Sequence, residues 1–329
     1  MKLPSMRRLS ALRLATAFSV LAAVAGASAS SAQAQSRQIK IVVPSTPGGG
    51  GDTVSRLLGD VIGRAQNQTI IVENRPGAGN TIGMEYASRQ APDGNTLLIT
   101  SPEFVIGPHL RKLSWDPITS FEPICHLVNS PQIIVVHPSS PFKTMKDMID
   151  HAKAKPGDVT FAAPGPASAP HIAIESIKRL AGVDITYVPY QGASPSVNAV
   201  IGNHVTAVMV SYPNVIQQIK SGQLRALAVT SPARAEGLPD VPTMSESGFK
   251  DFQAELWFGV VAPAKTPKEV LTQLEGWFTE AMKVPEAKAK LEGAGLFPAV
   301  SCGTPQVDFH KKELESYGTA IKASNIKIQ

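Results

Sequence analysis

The chain has 329 residues, with 31 Lys and Arg against 26 Asp and Glu and a formal net charge of +5. Four of the basic residues, Lys2, Arg7, Arg8 and Arg13, fall within the first 34 positions with no acid among them, leaving 27 against 26 for the rest. That near-neutrality removes the electrostatic case for nucleic-acid binding that the whole-chain charge would suggest.

The opening segment reads as an export signal. Its basic start is followed by an almost unbroken apolar run, 14–25, and by the small-x-small triplet Ala32-Gln33-Ala34, with Ala27-Ser28-Ala29 as a rival cleavage site. The run is short for a membrane span, and no second stretch of about 18 apolar residues follows. The reading is residues 1–34 as a cleaved signal peptide and a soluble protein in the periplasm. The remaining chain is long enough for a large core and of a size that tends to divide in two.

In chain order, strands are predicted at 39–43, 69–73, 96–100, 133–136, 159–163, 185–189, 205–210, 224–229 and 257–262, with amphipathic helical segments between many of them. Helix starts are marked by Thr144 with Asp147 at capping-box spacing, by Ser194-Pro195, and by Thr266-Pro267 ahead of Glu269. Strand and helix in alternation predict an α/β fold with mostly parallel sheets, in which ligands bind at the carboxyl ends of strands.

Residues 39–53, IKIVVPSTPGGGGDT, carry the strongest local signal. An apolar strand leads into four glycines, and a helix follows with Val54, Leu57, Leu58, Val61 and Ile62 on one face. A plain strand-to-helix turn needs one or two glycines rather than four. The loop is therefore read as facing a ligand, with unpaired N–H groups and the positive helix end offering an anion site.

Residues 162–171, AAPGPASAPH, repeat the arrangement: a strand, then Ser168 as a natural N-cap with Pro170 in the first turn. An ordinary capped helix with an exposed His171 would look the same. The recurrence of the loop type favours a pair of helix N-termini that hold a carboxylate without Lys or Arg. Tyr190-Gln191-Gly192-Ala193-Ser194 repeats the logic a third time, and Ser101-Pro102-Glu103 and Ser211-Tyr212 close two further strands.

Enzyme signatures are missing. The four glycines run into Asp52 rather than the G-K-[ST] of a phosphate-binding loop, and there is no G-x-S-x-G or H-E-x-x-H. The seven histidines show no metal-ligand spacing. Cys125 and Cys302 lie outside any C-x-x-C; they are open to pairing, to two buried thiols or to one exposed thiol. No catalytic residue, metal or cofactor is assigned.

Taken together, PSTPGGGGDTVSR, VENRPGAGNTIGMEYASRQAPDGNTLLI, WDPITSFEPI, VTFAAPGPASAPH, VPYQGASPSVNAVIG and WFGVVAPAKTPKEV make the chain resemble the extracytoplasmic solute receptors of tripartite tricarboxylate transporters, the Bug-type receptors. The resemblance runs over essentially the whole mature chain. It implies a two-lobed type II periplasmic-binding-protein fold with a ligand cleft between lobes joined by a hinge. The lobes are expected at 35–130 plus 252–329 and at 131–251.

Carried over by motif, the ligand-binding residues are Thr46, Pro47, Gly48, Gly49 and Gly50 in the first loop and Gly165, Ala167, Ser168 and His171 in the second. Ser101, Tyr190, Gly192 and Ser211 join them at other strand ends. The implied function is periplasmic capture of a small dicarboxylate, tricarboxylate or aromatic acid by a monomer, for delivery to transporter membrane subunits. The alternatives are an exported hydrolase using Ser168 and His171, or a carboxylate-binding protein used only for sensing.

The chain departs from the family pattern at Asn198 and Thr206, where an acid is usual, and at Asn80, which ends the Gly77-Ala78-Gly79 turn. Ser101-Pro102-Glu103-Phe104 replaces a small Gly/Ser segment. Glu103 near a cleft would repel a second carboxylate, or accept a hydrogen bond from a hydroxyl or amine on the ligand.

Overall fold

The computed structural model describes residues 38–166, 168–250, 252 and 254–326. The expected signal peptide and the site residue Ala167 lie outside the described residues.

The chain runs β1 (Gln38–Val43), α1 (Gly50–Gln66), β2 (Thr69–Asn74), α2 (Thr81–Ser88), β3 (Thr96–Thr100), α3 (Glu103–Leu110) and β4 (Phe121–Ser130). It continues through β5 (Gln132–Val136), α4 (Met145–Ala154), β6 (Thr160–Pro164), α5 (Ala169–Ala181), β7 (Thr186–Tyr190), α6 (Ala193–Ile201) and β8 (Ala207–Ser211). A 3-10 turn (Tyr212–Asn214), α7 (Ile216–Lys220) and β9 (Arg225–Val229) follow, and then β10 (Leu256–Pro263), α8 (Lys268–Lys283), α9 (Pro285–Gly293), β11 (Phe297–Cys302) and α10 (Thr304–Ala323).

The strands form two sheets. The first has the order β11-β4-β10-β3-β1-β2 and the second β7-β6-β8-β5-β9. Each has its own core: Ile39, Ile41, Val54, Leu58 and Phe278 belong to that of the first sheet, and Ile134, Phe161, Ile174 and Met209 to that of the second. The burial follows from sequence pattern. β1 is an Ile/Val run, and α1 turns Val54, Leu58 and Ile62 inward at helical spacing.

The sheets are mixed rather than mostly parallel. β1 with β2 and β3, and β6 with β7 and β8, are parallel, whereas every ladder made by β4, β5, β9, β10 or β11 is antiparallel. The physical reason is that the chain passes between sheets at β4–β5 and returns at β9–β10. A strand leaving a sheet and one re-entering it lie side by side in opposite directions.

The two passages are laced by buried hydrogen bonds. The Gln132 N–H donates to Thr230 Oγ1 (3.0 Å), the Thr230 N–H to Gln132 O (3.0 Å), and Thr230 Oγ1 to Ala254 O (3.0 Å). Gln132 and Thr230 are fully buried, so these bonds are shielded from competing water.

Two strands escape the sequence pattern, β4 and β11. Cys125 and Cys302 sit opposite one another in that ladder and form a disulfide closing a separation of 177 residues. In the chain-entropy picture, a loop of that length stabilises the fold by up to about 5 kcal/mol.

Two of the four expected helix caps are in place. Thr144 and Asp147 form the reciprocal capping box of α4, and Ser168 caps α5. Ser194 instead lies inside the first turn of α6, which Gly192 precedes as N-cap, and α8 starts at Lys268 with Pro267 as N-cap. Thr266 Oγ1 donates to Pro263 O (2.7 Å) in the turn before α8.

Candidate functional site

The two sheets bring strand ends and helix starts together over one space. A cavity of about 250 Å³ is walled on one side by Gly79, Asn80 and the face of α3, and on the other by the loops after β6 and β7. Four of the residues expected from sequence line it: Gly165, Ser168, Tyr190 and Gly192. α5 and α6 both begin there. The positive dipole end of each helix lies at this start, while Pro170 and Pro195 bring no N–H to the first turns and Ser168 caps the His171 N–H, so the donors are few.

The loop after β6 is held by its own bonds. The Gly165 N–H donates to Tyr190 O (2.8 Å), while Gly165 O accepts from Ser168 Oγ (3.0 Å) and Tyr187 OH (2.6 Å). Gly165 thus spends both main-chain groups on the scaffold. Its φ of 58° and the 117° of Gly192 set the turns that aim the helices. Ser168 Oγ also accepts the His171 N–H (3.4 Å), the capping contact that fixes the first turn of α5.

His171 itself lies beside this cavity rather than in its lining. Its ring stacks on Tyr187 at 3.9 Å between centroids, with Glu175 at 4.0 Å. Burial holds the imidazole below its ordinary pKa, so at neutral pH it is an uncharged ring that supports the loop.

The first glycine loop, Thr46 to Gly50, is also outside the cavity lining. Thr46, Pro47 and Gly48 are exposed. The loop is pinned from behind: the Gly48 N–H donates to Asp52 Oδ2 (3.0 Å), Arg56 pairs with Asp52 (2.9 Å) and reaches Asn74 Oδ1 (2.9 Å), and Asn74 Nδ2 donates to Ser45 O (3.1 Å). Burial of Asp52 opposes ionisation, but the Arg56 and Gly48 hydrogen bonds outweigh it and keep the carboxyl below the usual range.

Two of the four glycines have a packing reason. A Cβ on Gly50 would lie 2.6 Å from the Phe258 ring, and one on Gly51 2.9 Å from Ile99. They let α1 close on the sheet. Ser101 Oγ donates to Glu103 Oε2 (2.7 Å), and Ser211 Oγ accepts from Asn214 (2.6 Å).

Sequence reasoning raised Glu103 as a residue near a cleft without assigning it a role and did not assign Asn80, Ile106, Leu110 or Arg111 to the site, yet all five line the cavity. The 103, 106, 107, 110 spacing of one helix face, starting at the strand end already singled out, was the available signal. Arg111 Nη1 donates to Ala78 O (2.7 Å), and among the described residues it pairs with no carboxylate.

A larger concavity of about 830 Å³ lies between α5 and α10, over Glu255, Trp257 and Glu313. Burial raises Glu255 to about 7, with repulsion from Glu313 adding to it, and burial also raises Glu313. Paired acids on its floor make this space a poor home for an anion, despite Arg179, Lys250 and Lys312 in its lining.

Two sheet-centred lobes, two adjacent crossings and helix N-termini over the space between the lobes define a solute-binding receptor. The chain belongs to a known family of them: residues 54–326 match the tripartite tricarboxylate transporter family receptor. Protein BugT of Bordetella pertussis is 30% identical over 322 residues, covering 96% of this chain and 99% of its own length. The solved periplasmic binding protein BugD is 31% identical with a TM-score of 0.78, covering 89% of this chain and 99% of that one. R. palustris Rpa4515, solved with adipate, is 27% identical with a TM-score of 0.82, covering 90% and 99%. The protein is a binding protein and not an enzyme, which disposes of the hydrolase reading of Ser168 and His171.

Proposed function

We propose that this receptor captures a small organic carboxylate in the periplasm, after removal of the leader, and delivers it to the membrane subunits of a tripartite tricarboxylate-type transporter. The convergence of the α5 and α6 N-termini on one cavity carries the reading, because two positive dipole ends at one cavity suit an anion. The absence of a phosphate-loop lysine after the four glycines and the adipate held by a relative support a carboxylate over a phosphate. The lobes pivot about the Gln132–Thr230–Ala254 lacing, and the first glycine loop swings toward the cavity as they close. His171 and Tyr187 stiffen the loop that receives the acid.

The test is a thermal-shift screen of the chain from residue 35 onward against mono-, di- and tricarboxylic, aromatic and amino acids, with neutral amides and inorganic phosphate as controls. A ligand bound only by the folded state raises the melting temperature, by an amount that grows with the ratio of concentration to Kd. At least one acid is expected to stabilise while its amide does not. Stabilisation by phosphate alone, or by no acid, contradicts the proposal.

A further inference from the structure

We infer that Glu103 selects the ligand's chemistry: the cavity takes a carboxylate that also bears an ammonium group, with an apolar spacer between the two. The inference rests on the carboxylate reading above and adds the second pole.

The charges of the cavity lining carry it. Among its described residues the lining holds one carboxylate, Glu103, and one cation, Arg111. Glu103 opens α3 and Arg111 is the extended residue just past its end, eight positions on, so the two bracket the face of α3 that lines the cavity. Ile106 and Leu110 lie between them on that face. The wall therefore reads negative, apolar, positive.

Glu103 accepts the Ser101 hydroxyl (2.7 Å), and no Lys, Arg or His of the described residues pairs with it. An acid in the first turn of a helix is stabilising by itself, and that role is compatible with any orientation toward solvent. Here the carboxylate instead lines a half-open cavity, and no cation of the described residues pairs with it. A ligand ammonium would supply the missing charge. A second ligand carboxylate would meet Glu103 as a like charge in a partly desolvated space, where repulsion is stronger than in water. The ligand carboxylate goes to the other pole, where Arg111 offers charged donors, in a cavity that the starts of α5 and α6 also line.

The test pairs molecules of equal length that differ in one terminus: straight-chain ω-amino acids of four to six carbons against the corresponding dicarboxylates, 6-aminohexanoate against adipate among them. Affinities are measured by titration calorimetry for the wild type, Glu103→Gln and Arg111→Gln, with unliganded melting curves to confirm folding. The wild type is expected to prefer the amino acid by about tenfold or more, the difference one charge-assisted contact makes. Glu103→Gln erases or reverses that preference, and Arg111→Gln weakens both classes.

Tighter binding of the dicarboxylates by the wild type, or a preference unchanged in Glu103→Gln, overturns the inference while leaving the carboxylate receptor intact. Failure of every acid in the wider screen removes the carboxylate reading and this inference with it.

Discussion

At the residue scale, several groups do work that their sequence context does not announce. Ser168 is legible as an N-cap because Ser followed by Pro in the first turn is a local signal. Glu255 is not legible, because its neighbourhood is made by α10 and the inter-lobe crossing. Burial raises its pKa to about 7, above the 4.5 of an ordinary glutamate. The folded chain therefore keeps a proton that the unfolded chain releases. The stability contributed by this group is complete below about pH 4.5 and is lost as pH rises from there to 7, on the order of 2 kcal/mol in all. Glu255→Gln is expected to match the wild type at pH 4.5 and to exceed it at pH 8 in urea-unfolding free energy. Identical pH slopes for the two proteins would refute this.

At the element scale, strand-to-helix junctions were readable, whereas the neighbouring antiparallel strands β4 and β11 were not. β4, FEPICHLVNS, carries Pro123, His126 and Asn129 and shows no alternation, yet it is buried because β10 and β11 pair with both of its edges. β11 begins Phe297-Pro298 at a sheet edge, where a strand tolerates proline. The four glycines show the limit of a local reading. Four glycines in a row suggest a ligand loop, but Gly50 and Gly51 answer to Phe258 and Ile99 across the sheet. Gly50→Ala is expected to cost about 1–3 kcal/mol of stability through overpacking against the Phe258 ring. Pairing it with Phe258→Leu should recover part of that loss in chemical denaturation, and equal losses for the single and double variants would show that the contact is not the cause.

At the scale of the whole molecule, a cleft is made by elements distant in sequence. The wall formed by Gly165, Ser168, Tyr190 and Gly192 was legible because each residue sits at a strand end or a helix start. The opposite wall was not, since only the closing of two sheets around shared crossings sets α3 against α5 and α6. Ile106 of α3 packs with Ala169 and Ile172 of α5 and Ile321 of α10 in a small apolar cluster between the lobes. Ile106 thereby joins α3 to α5 while lining the cavity together with Glu103 and Arg111. Titration calorimetry of the acid that most raises the melting temperature, against wild type and Ser168→Ala, tests the carboxylate cleft most directly. Loss of the hydroxyl and of the capped first turn is expected to weaken binding about tenfold or more, with the unliganded variant still folded. An unchanged Kd in Ser168→Ala would contradict capture of the acid between these loops.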